Sequence, residues 1–145
     1  MKYIKNYPQM ILNRSLLYYG AAVCTGIAGI LHLTFITSAI NFKFINYAIF
    51  FLVSGIAQLF WVLPMVRRWG TIWYATGIAG TLILVGLTGY VIINIFYNPI
   101  TGRGGITEMA IAIELFQIAY VVMTVIILLW TITGWRRSNI VESST

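Results

Sequence analysis

Four strongly polar side chains stand within long apolar stretches of this chain, and they are the residues whose types could support chemistry. They are His32, Gln58, Glu114 and Gln117. Such side chains are costly in hydrocarbon and are expected to face protein, and histidine and glutamate are common proton carriers within membranes. The sequence supports two interpretations: a hydrogen-bonded network that locks helices together, or a proton relay or quinone head-group site.

The positions of His32 and Glu114 predict that their side chains approach each other. Each lies eight residues from the predicted end of its helix, at Ile40 and Ile106, which is about 12 Å at 1.5 Å per residue. The two groups should therefore share a level and interact directly or through water. Gln117 lies one helical turn from Glu114 and should complete the network.

Gln58 is expected to lie apart from this pair. It is fourteen residues from Phe44, where its helix is predicted to begin, so it should sit about 9 Å deeper than the other two. It then needs another partner, such as Ser54 or a backbone carbonyl.

The sequence predicts no catalytic residue, no metal ligand set and no cofactor ligand. Copper or zinc needs three or four convergent ligands, but the chain has one histidine and one cysteine, Cys24. Cys24 lies eight residues from His32, about 12 Å along the helix, and one cysteine cannot form an internal disulfide. The glycine-rich segment 102–105 could hold an anion on its amides, but it lacks the lysine of a phosphate loop, and a tight turn is favoured.

Composition identifies the elements that must position these residues. Of 145 residues, 60% are hydrophobic and 8% are charged, and the mean hydropathy is +0.90. Lipid must solvate much of such a surface, and four spans of about 20 residues leave no room for a soluble domain. The net charge of +6 is better explained by membrane topology than by nucleic-acid binding.

We predict an all-α integral membrane four-helix bundle that forms a single transmembrane domain over residues 1–145. Its spans are predicted at about 16–40, 44–66, 72–96 and 106–130. Pro8 should interrupt the segment before the first span, and the tail from Ser138 should be frayed. An external loop should contain Asn98, Pro99, Gly102 and Arg103.

Two sets of residues are candidates for helix contacts. Bulky side chains of the second and fourth spans are expected on the outer surface, where they could meet lipid or other subunits: Phe50, Phe51, Phe60, Phe116 and Tyr120. Small residues four apart allow helices to approach closely: Ala22 with Gly26, Ala75 with Ala79, and Gly77 with Thr81.

The basic residues predict the orientation. With the N-terminus in the cytoplasm, that side holds seven of the nine lysines and arginines, leaving Lys43 and Arg103 outside. Both termini are therefore predicted to be cytoplasmic in a multi-pass protein of the cell membrane.

Five segments resemble small four-helix membrane proteins of ammonia-oxidising archaea. They are 29–33 (GILHL), 55–61 (GIAQLFW), 64–70 (PMVRRWG), 98–104 (NPITGRG) and 114–117 (ELFQ). Proteins of that kind are similar to extra membrane subunits of archaeal ammonia monooxygenase, a copper enzyme whose metal lies in other subunits. The resemblance covers most of the chain, but it brings no catalytic residues to transfer.

The resemblance implies a non-catalytic accessory subunit that packs on the other membrane subunits of a complex, with copper only in those partners. The alternatives are a quinone-interacting subunit and a small transporter or proton channel. Loss of a co-purifying quinone on His32→Ala would favour the first alternative, and a water-filled cavity lined by His32 and Glu114 would be required by the second. No internal repeat is visible, which weighs against an independent transporter.

Overall fold

Four α-helices make up the described part of the chain. The computed structural model describes the backbone of residues 7–41, 43–96 and 108–142, and the side chains of residues 14–41, 43–91 and 108–133. The helices are α1 (Tyr7–Asn41), α2 (Ile45–Arg67), α3 (Thr71–Phe96) and α4 (Glu108–Glu142). Each contains a stretch long and apolar enough to cross a membrane.

Two of the helices are longer than the predicted spans. Helix α1 begins at Tyr7 and takes Pro8 into its first turn, where proline is tolerated because its missing N–H has no intrahelical acceptor. Helix α4 continues to Glu142, so the expected fraying from Ser138 is not seen over 138–142. The predicted external loop, with Asn98, Pro99, Gly102 and Arg103, lies outside the described residues.

The helices form an antiparallel ring in the order of the chain. Helix α1 packs most extensively on α2 and next on α4, whereas α3 packs on α4 and only slightly on α2. Within the described residues, the diagonal pairs α1–α3 and α2–α4 make no close backbone approach. Side chains alone therefore fill the axis of the bundle.

Both short corners place a basic residue in the left-handed backbone region. Lys43 has φ 61° and Arg68 has φ 53°. Backbone hydrogen bonds from Phe44 to Ala39 (2.9 Å) and from Trp69 to Pro64 (3.1 Å) then close each helix end in the manner of a Schellman motif.

One end of the bundle is basic, and we call it the basic end; it carries Arg14, Arg67 and Arg68. The Arg68 guanidinium donates a hydrogen bond to the Ser15 hydroxyl at 3.0 Å and lies 4.9 Å from the centre of the Tyr18 ring. Arg14 lies 5.8 Å from the centre of the Trp130 ring. These contacts join the start of α1 to the α2–α3 corner and to α4.

Glycines set the close crossing of α1 and α2. A Cβ on Gly29 would lie 3.0 Å from the Gly55 carbonyl oxygen, and a Cβ on Gly55 would lie 3.0 Å from the Gly29 oxygen. The added Cβ atoms would lie closer still to leucine side chains, with Leu59 against the Cβ on Gly29 and Leu33 against the Cβ on Gly55. A methyl group on either glycine would therefore have to push the helices apart.

Two apolar clusters fill the ends of the core. The basic-end cluster comprises Ala21, Ala22, Met65, Tyr74, Tyr120 and Ile127. The far-end cluster comprises Phe35, Ala39, Ala48, Phe51, Val91, Ala110 and Ile113.

The clusters correct part of the predicted outer surface. Tyr120 and Phe51 are 0% and 4% exposed, so the expectation that these two face lipid or other subunits is wrong. Each ring lies three or four residues from polar or small residues of the core, on the same face of its helix, and this face points inward. Phe60 does lie on the outside.

Candidate functional site: a polar layer in the bundle core

Polar side chains occupy the core between the two apolar clusters. Seven buried polar residues lie here, and an eighth, Thr124, lies within the basic-end cluster between Tyr120 and Ile127; the seven are Thr25, His32, Ser54, Gln58, Thr81, Thr88 and Gln117. All eight are almost completely withdrawn from the surface. Such a concentration is unusual because burying a polar group is costly unless it is hydrogen-bonded.

One residue from each helix meets at a common level, and we call these four the polar layer: Thr25, Gln58, Thr81 and Gln117. The Thr25 hydroxyl donates to Gln58, with its Oγ1 2.9 Å from the backbone oxygen and 2.5 Å from Oε1. This contact fixes α1 against α2 at the layer.

Contacts elsewhere along the helices set the level of the other two members. Gly20 lies against Met123 and the Thr34 hydroxyl lies 3.2 Å from the Met109 sulfur, so the antiparallel register sets Gln117 opposite Gly26. Trp61 lies against Gly77 in the same way. The α2–α3 register then sets Thr81 beside residue 57, next to Gln58.

A second polar level lies on the side of the layer away from the basic end. His32 and Thr88 are two helical turns beyond Thr25 and Thr81, about 10 Å along the axis, and Ser54 is one turn beyond Gln58. The His32 Nδ1 lies 2.8 Å from the Ala28 carbonyl oxygen, and its ring lies 6.2 Å from the Phe51 ring. Donation from Nδ1 to that carbonyl leaves Nε2 as the free acceptor of the neutral ring.

Many polar atoms of this core have no hydrogen-bond partner. Within the described residues there are nine such buried atoms: His32 Nε2, Ser54 Oγ, Gln58 Nε2, Thr81 Oγ1, Thr88 Oγ1, Glu114 Oε1, both polar atoms of the Gln117 side chain, and the Tyr120 hydroxyl. Native proteins leave only a few such atoms per hundred residues. Most of these atoms lie between the two apolar clusters, and their concentration there needs a physical explanation.

Thr124 shows how a hydroxyl in such a core is normally satisfied. Its Oγ1 donates to the Tyr120 carbonyl oxygen of the same helix at 2.7 Å. Outside the core, Thr76, Thr131 and Thr133 make the same bond to the carbonyl four residues earlier. Thr81 and Thr88 do not, so their hydroxyls remain free to bond toward the axis.

The structure buries three of the four predicted site residues but does not pair them directly. His32, Gln58 and Gln117 are fully buried, and Glu114 is partly buried. Neither His32 Nε2 nor Glu114 Oε1 has a hydrogen-bond partner. The α1–α4 register sets Glu114 opposite Gly29, about 4.5 Å along the axis from His32, and the predicted network among the four residues stays a prediction.

Gln58 has a partner that was not expected. It bonds with Thr25, and the proposed partner Ser54 keeps an unpartnered hydroxyl. Two further buried threonines, Thr88 and Thr124, were missed because threonine is common in apolar helices. A spacing of seven residues, which joins Thr25 to His32, Thr81 to Thr88 and Gln117 to Thr124, is the sequence signal that could have found them.

The arrangement offers hydrogen bonds but no metal ligand set. In the part of the chain that the structure describes, no three His, Cys, Asp or Glu side chains come together to hold a metal ion. The polar layer itself consists of neutral amides and hydroxyls. Its chemistry is the binding of neutral groups that both donate and accept hydrogen bonds.

Comparison with known proteins gives no further guide to this site. No protein-family model, curated protein or solved structure matches the chain at a significant level.

Proposed function

We propose that this chain is a multi-pass protein of the cell membrane and a non-catalytic subunit of a larger membrane complex. The observation that carries the proposal is the apolar outer surface, because large hydrophobic side chains are exposed on all four helices. In water, exposed hydrophobic side chains on every helix would drive association, whereas in a bilayer they contact lipid and neighbouring subunits. Examples from successive helices are Val23, Ile49, Ile83 and Val122.

The basic end is proposed to face the cytoplasm, which would make both termini cytoplasmic. Arg14, Arg67 and Arg68 lie there, and Lys43 is at the opposite end of the described bundle. Aromatic rings at the same end support an interfacial position: Trp69 and Trp73 are 4.8 Å apart and both are partly exposed.

Helix α3 offers the surface that best fits a neighbouring subunit. It packs on α4 but only slightly on α2, and it exposes the small residues Ala75, Ala79 and Gly86. No atom within 4 Å would meet a Cβ on Gly86. Small residues let a partner helix approach closely in a membrane, where packing drives association.

Ammonia monooxygenase is the complex that we propose for this subunit. The proposal rests on the resemblance of segments such as 55–61 and 64–70 to small membrane proteins of ammonia-oxidising archaea. In that complex the copper would be held by partner subunits. The neutral polar layer suits a role in assembly and stabilisation of those partners.

Native purification in mild detergent tests this proposal. The tagged chain should co-migrate with other membrane subunits, and copper should follow those subunits. Ala79→Phe, which adds a ring to the exposed face of α3, should release the partners, whereas the matched change Val122→Phe on exposed α4 should not. Recovery of the chain alone as a homo-oligomer would contradict the proposal.

The unpartnered polar core favours a second candidate, a proton-conducting or quinone-interacting subunit. His32 and Glu114 would then exchange protons or bind a head group within the bundle. Proton flux into proteoliposomes should fall on Glu114→Gln, and a co-purifying quinone should be lost on His32→Ala. Normal flux and normal quinone content in both variants would remove this candidate.

A further inference from the structure

The unpartnered atoms of the polar layer include both donors and acceptors. The amide nitrogens of Gln58 and Gln117 each have two hydrogens to donate, the Gln117 Oε1 can only accept, and the Thr81 hydroxyl can do either. A ligand that satisfies this set must itself donate and accept within a short distance. Only two oxygens of the layer, Gln117 Oε1 and Thr81 Oγ1, lack a partner, fewer than the roughly six to eight that a calcium ion takes, and the layer has no positive charge that would hold an anion.

Within the described residues, the backbones of diagonal helices stay apart at this level, so a small ligand would meet only side chains there. On the basic-end side the axis is filled by Tyr74, Tyr120 and Met65, and on the other side by aromatic and branched residues of the far-end cluster. The layer between them has two threonines and two glutamines, whose polar ends are small.

We propose that the polar layer binds a cluster of buried water molecules. Water is the small neutral molecule that donates and accepts at once, and a buried water typically makes about three hydrogen bonds to groups that would otherwise lack partners. Bridges from Gln117 to Thr81 and Gln58 satisfy the free atoms of the layer. This hydration is independent of which complex the chain joins.

The same cluster extends from the layer to the second polar level. His32 Nε2, the Ser54 hydroxyl and the Thr88 hydroxyl lie one to two turns away and also lack partners. Water-mediated bonds across this distance join His32 to Gln117 without direct contact. The two apolar clusters bound this hydrated chamber along the bundle axis, one on each side.

Solid-state NMR of the full chain in lipid bilayers tests the chamber directly. The chain has three glutamines, Gln9, Gln58 and Gln117, so selective 15N labelling gives three side-chain amide signals, and Gln9→Ser identifies the one outside the core. The Gln58 and Gln117 amides should show cross peaks to water. The backbone amide of Ile127, in the basic-end cluster, should show none.

A pair of matched variants locates the water. Thr81→Val removes a free hydroxyl from the layer, and the water cross peak of Gln117 should fall at least twofold. Thr124→Val is the same change at a hydroxyl that bonds within its own helix, and it should leave that cross peak unchanged. If Thr81→Val fails to fold, Ser54→Ala provides the same comparison through the Gln58 signal.

Two results would overturn the inference. One is the absence of water cross peaks at both core glutamines, with a direct contact between the Gln58 and Gln117 amides in their place. The other is a water signal that responds equally to Thr81→Val and Thr124→Val.

Discussion

Helix α2 has two neighbours in sequence, and it is joined to each by a short corner, yet it packs on them very differently. Against α1 it makes an extensive contact that includes the Gly29–Gly55 crossing and the hydrogen bond from Thr25 to Gln58. Against α3 the contact is slight and involves mainly aromatic rings near the corner, such as Trp61 and Trp73. A short connection therefore brings two helices together but does not make them pack; small residues at the crossing do so.

The largest loss of stability is expected when an added methyl group fills the close α1–α2 crossing. A Cβ in Gly55→Ala would lie 2.6 Å from the Leu33 Cδ2 and 3.0 Å from the Gly29 carbonyl oxygen, so the helices must separate. We expect the free energy of unfolding in detergent to fall by about 2–3 kcal/mol, measured by thermal or denaturant unfolding.

Gly86→Ala on α3 is the matched control, since nothing lies within 4 Å of its added Cβ. It should leave the free energy of unfolding unchanged or raise it by up to about 1 kcal/mol through better helix propensity. An equal loss of unfolding free energy in both variants would show that close packing at the crossing does not cause the effect.

The α2–α3 contact should depend on its aromatic rings. The centre of the Trp73 ring lies 4.8 Å from that of Trp69 and 6.2 Å from those of Trp61 and Phe60. Trp73→Leu removes these ring contacts and should lower the free energy of unfolding by about 1 kcal/mol. Spin labels on Leu52 and Leu87 should report a wider α2–α3 distance. The distance between labels on α1 and α2 should not change.

The hydrogen bond across α1 and α2 should have a smaller effect than the glycine crossing. A double-mutant cycle of Thr25→Val and Gln58→Leu should give a coupling energy of about 0.6–2 kcal/mol, which is the range known for hydrogen bonds between membrane helices. Thr34→Val, at an exposed hydroxyl on the same helix, should show no coupling to Gln58→Leu. A coupling of zero at Thr25 would mean that packing alone holds this contact.

The smallest expected effect is at the α1–α2 corner. Lys43 has a φ of 61°, which glycine adopts without steric cost. Lys43→Gly should raise the free energy of unfolding by about 0.5 kcal/mol after allowing for the greater freedom of glycine in the unfolded chain. Lys43→Ala controls for the lost charge and should bring no gain.

The number and type of elements could be read from the sequence, and so could the burial of three of its four strongly polar residues. Long apolar runs predicted four helices that could span a membrane, and the structure has them. His32, Gln58 and Gln117 were expected to face protein because exposure to lipid is costly, and all three are buried.

What the sequence could not supply was the rotation and register of each helix. Tyr120 and Phe51 were expected on the outside because bulky rings suit either lipid or a core, and hydropathy does not distinguish the two. The Gly29–Gly55 crossing depends on where two axes come closest, which no single-helix pattern gives. Thr88 was missed because a threonine can satisfy its own hydroxyl within the helix, so its type alone does not mark it as a core residue.

The tight α1–α2 corner has a consequence for how the molecule is made. Backbone hydrogen bonds from Lys43 to Ile40 and from Phe44 to Ala39 fold the chain back at once. If the chain inserts into a bilayer as we propose, these two helices would enter it together as a preformed hairpin. Helix α3 is synthesised next. It packs only slightly on α2 and gains its main packing contact when α4 follows. Under that proposal, the stage at which α3 has been synthesised and α4 has not is the one at which an insertase would be needed most.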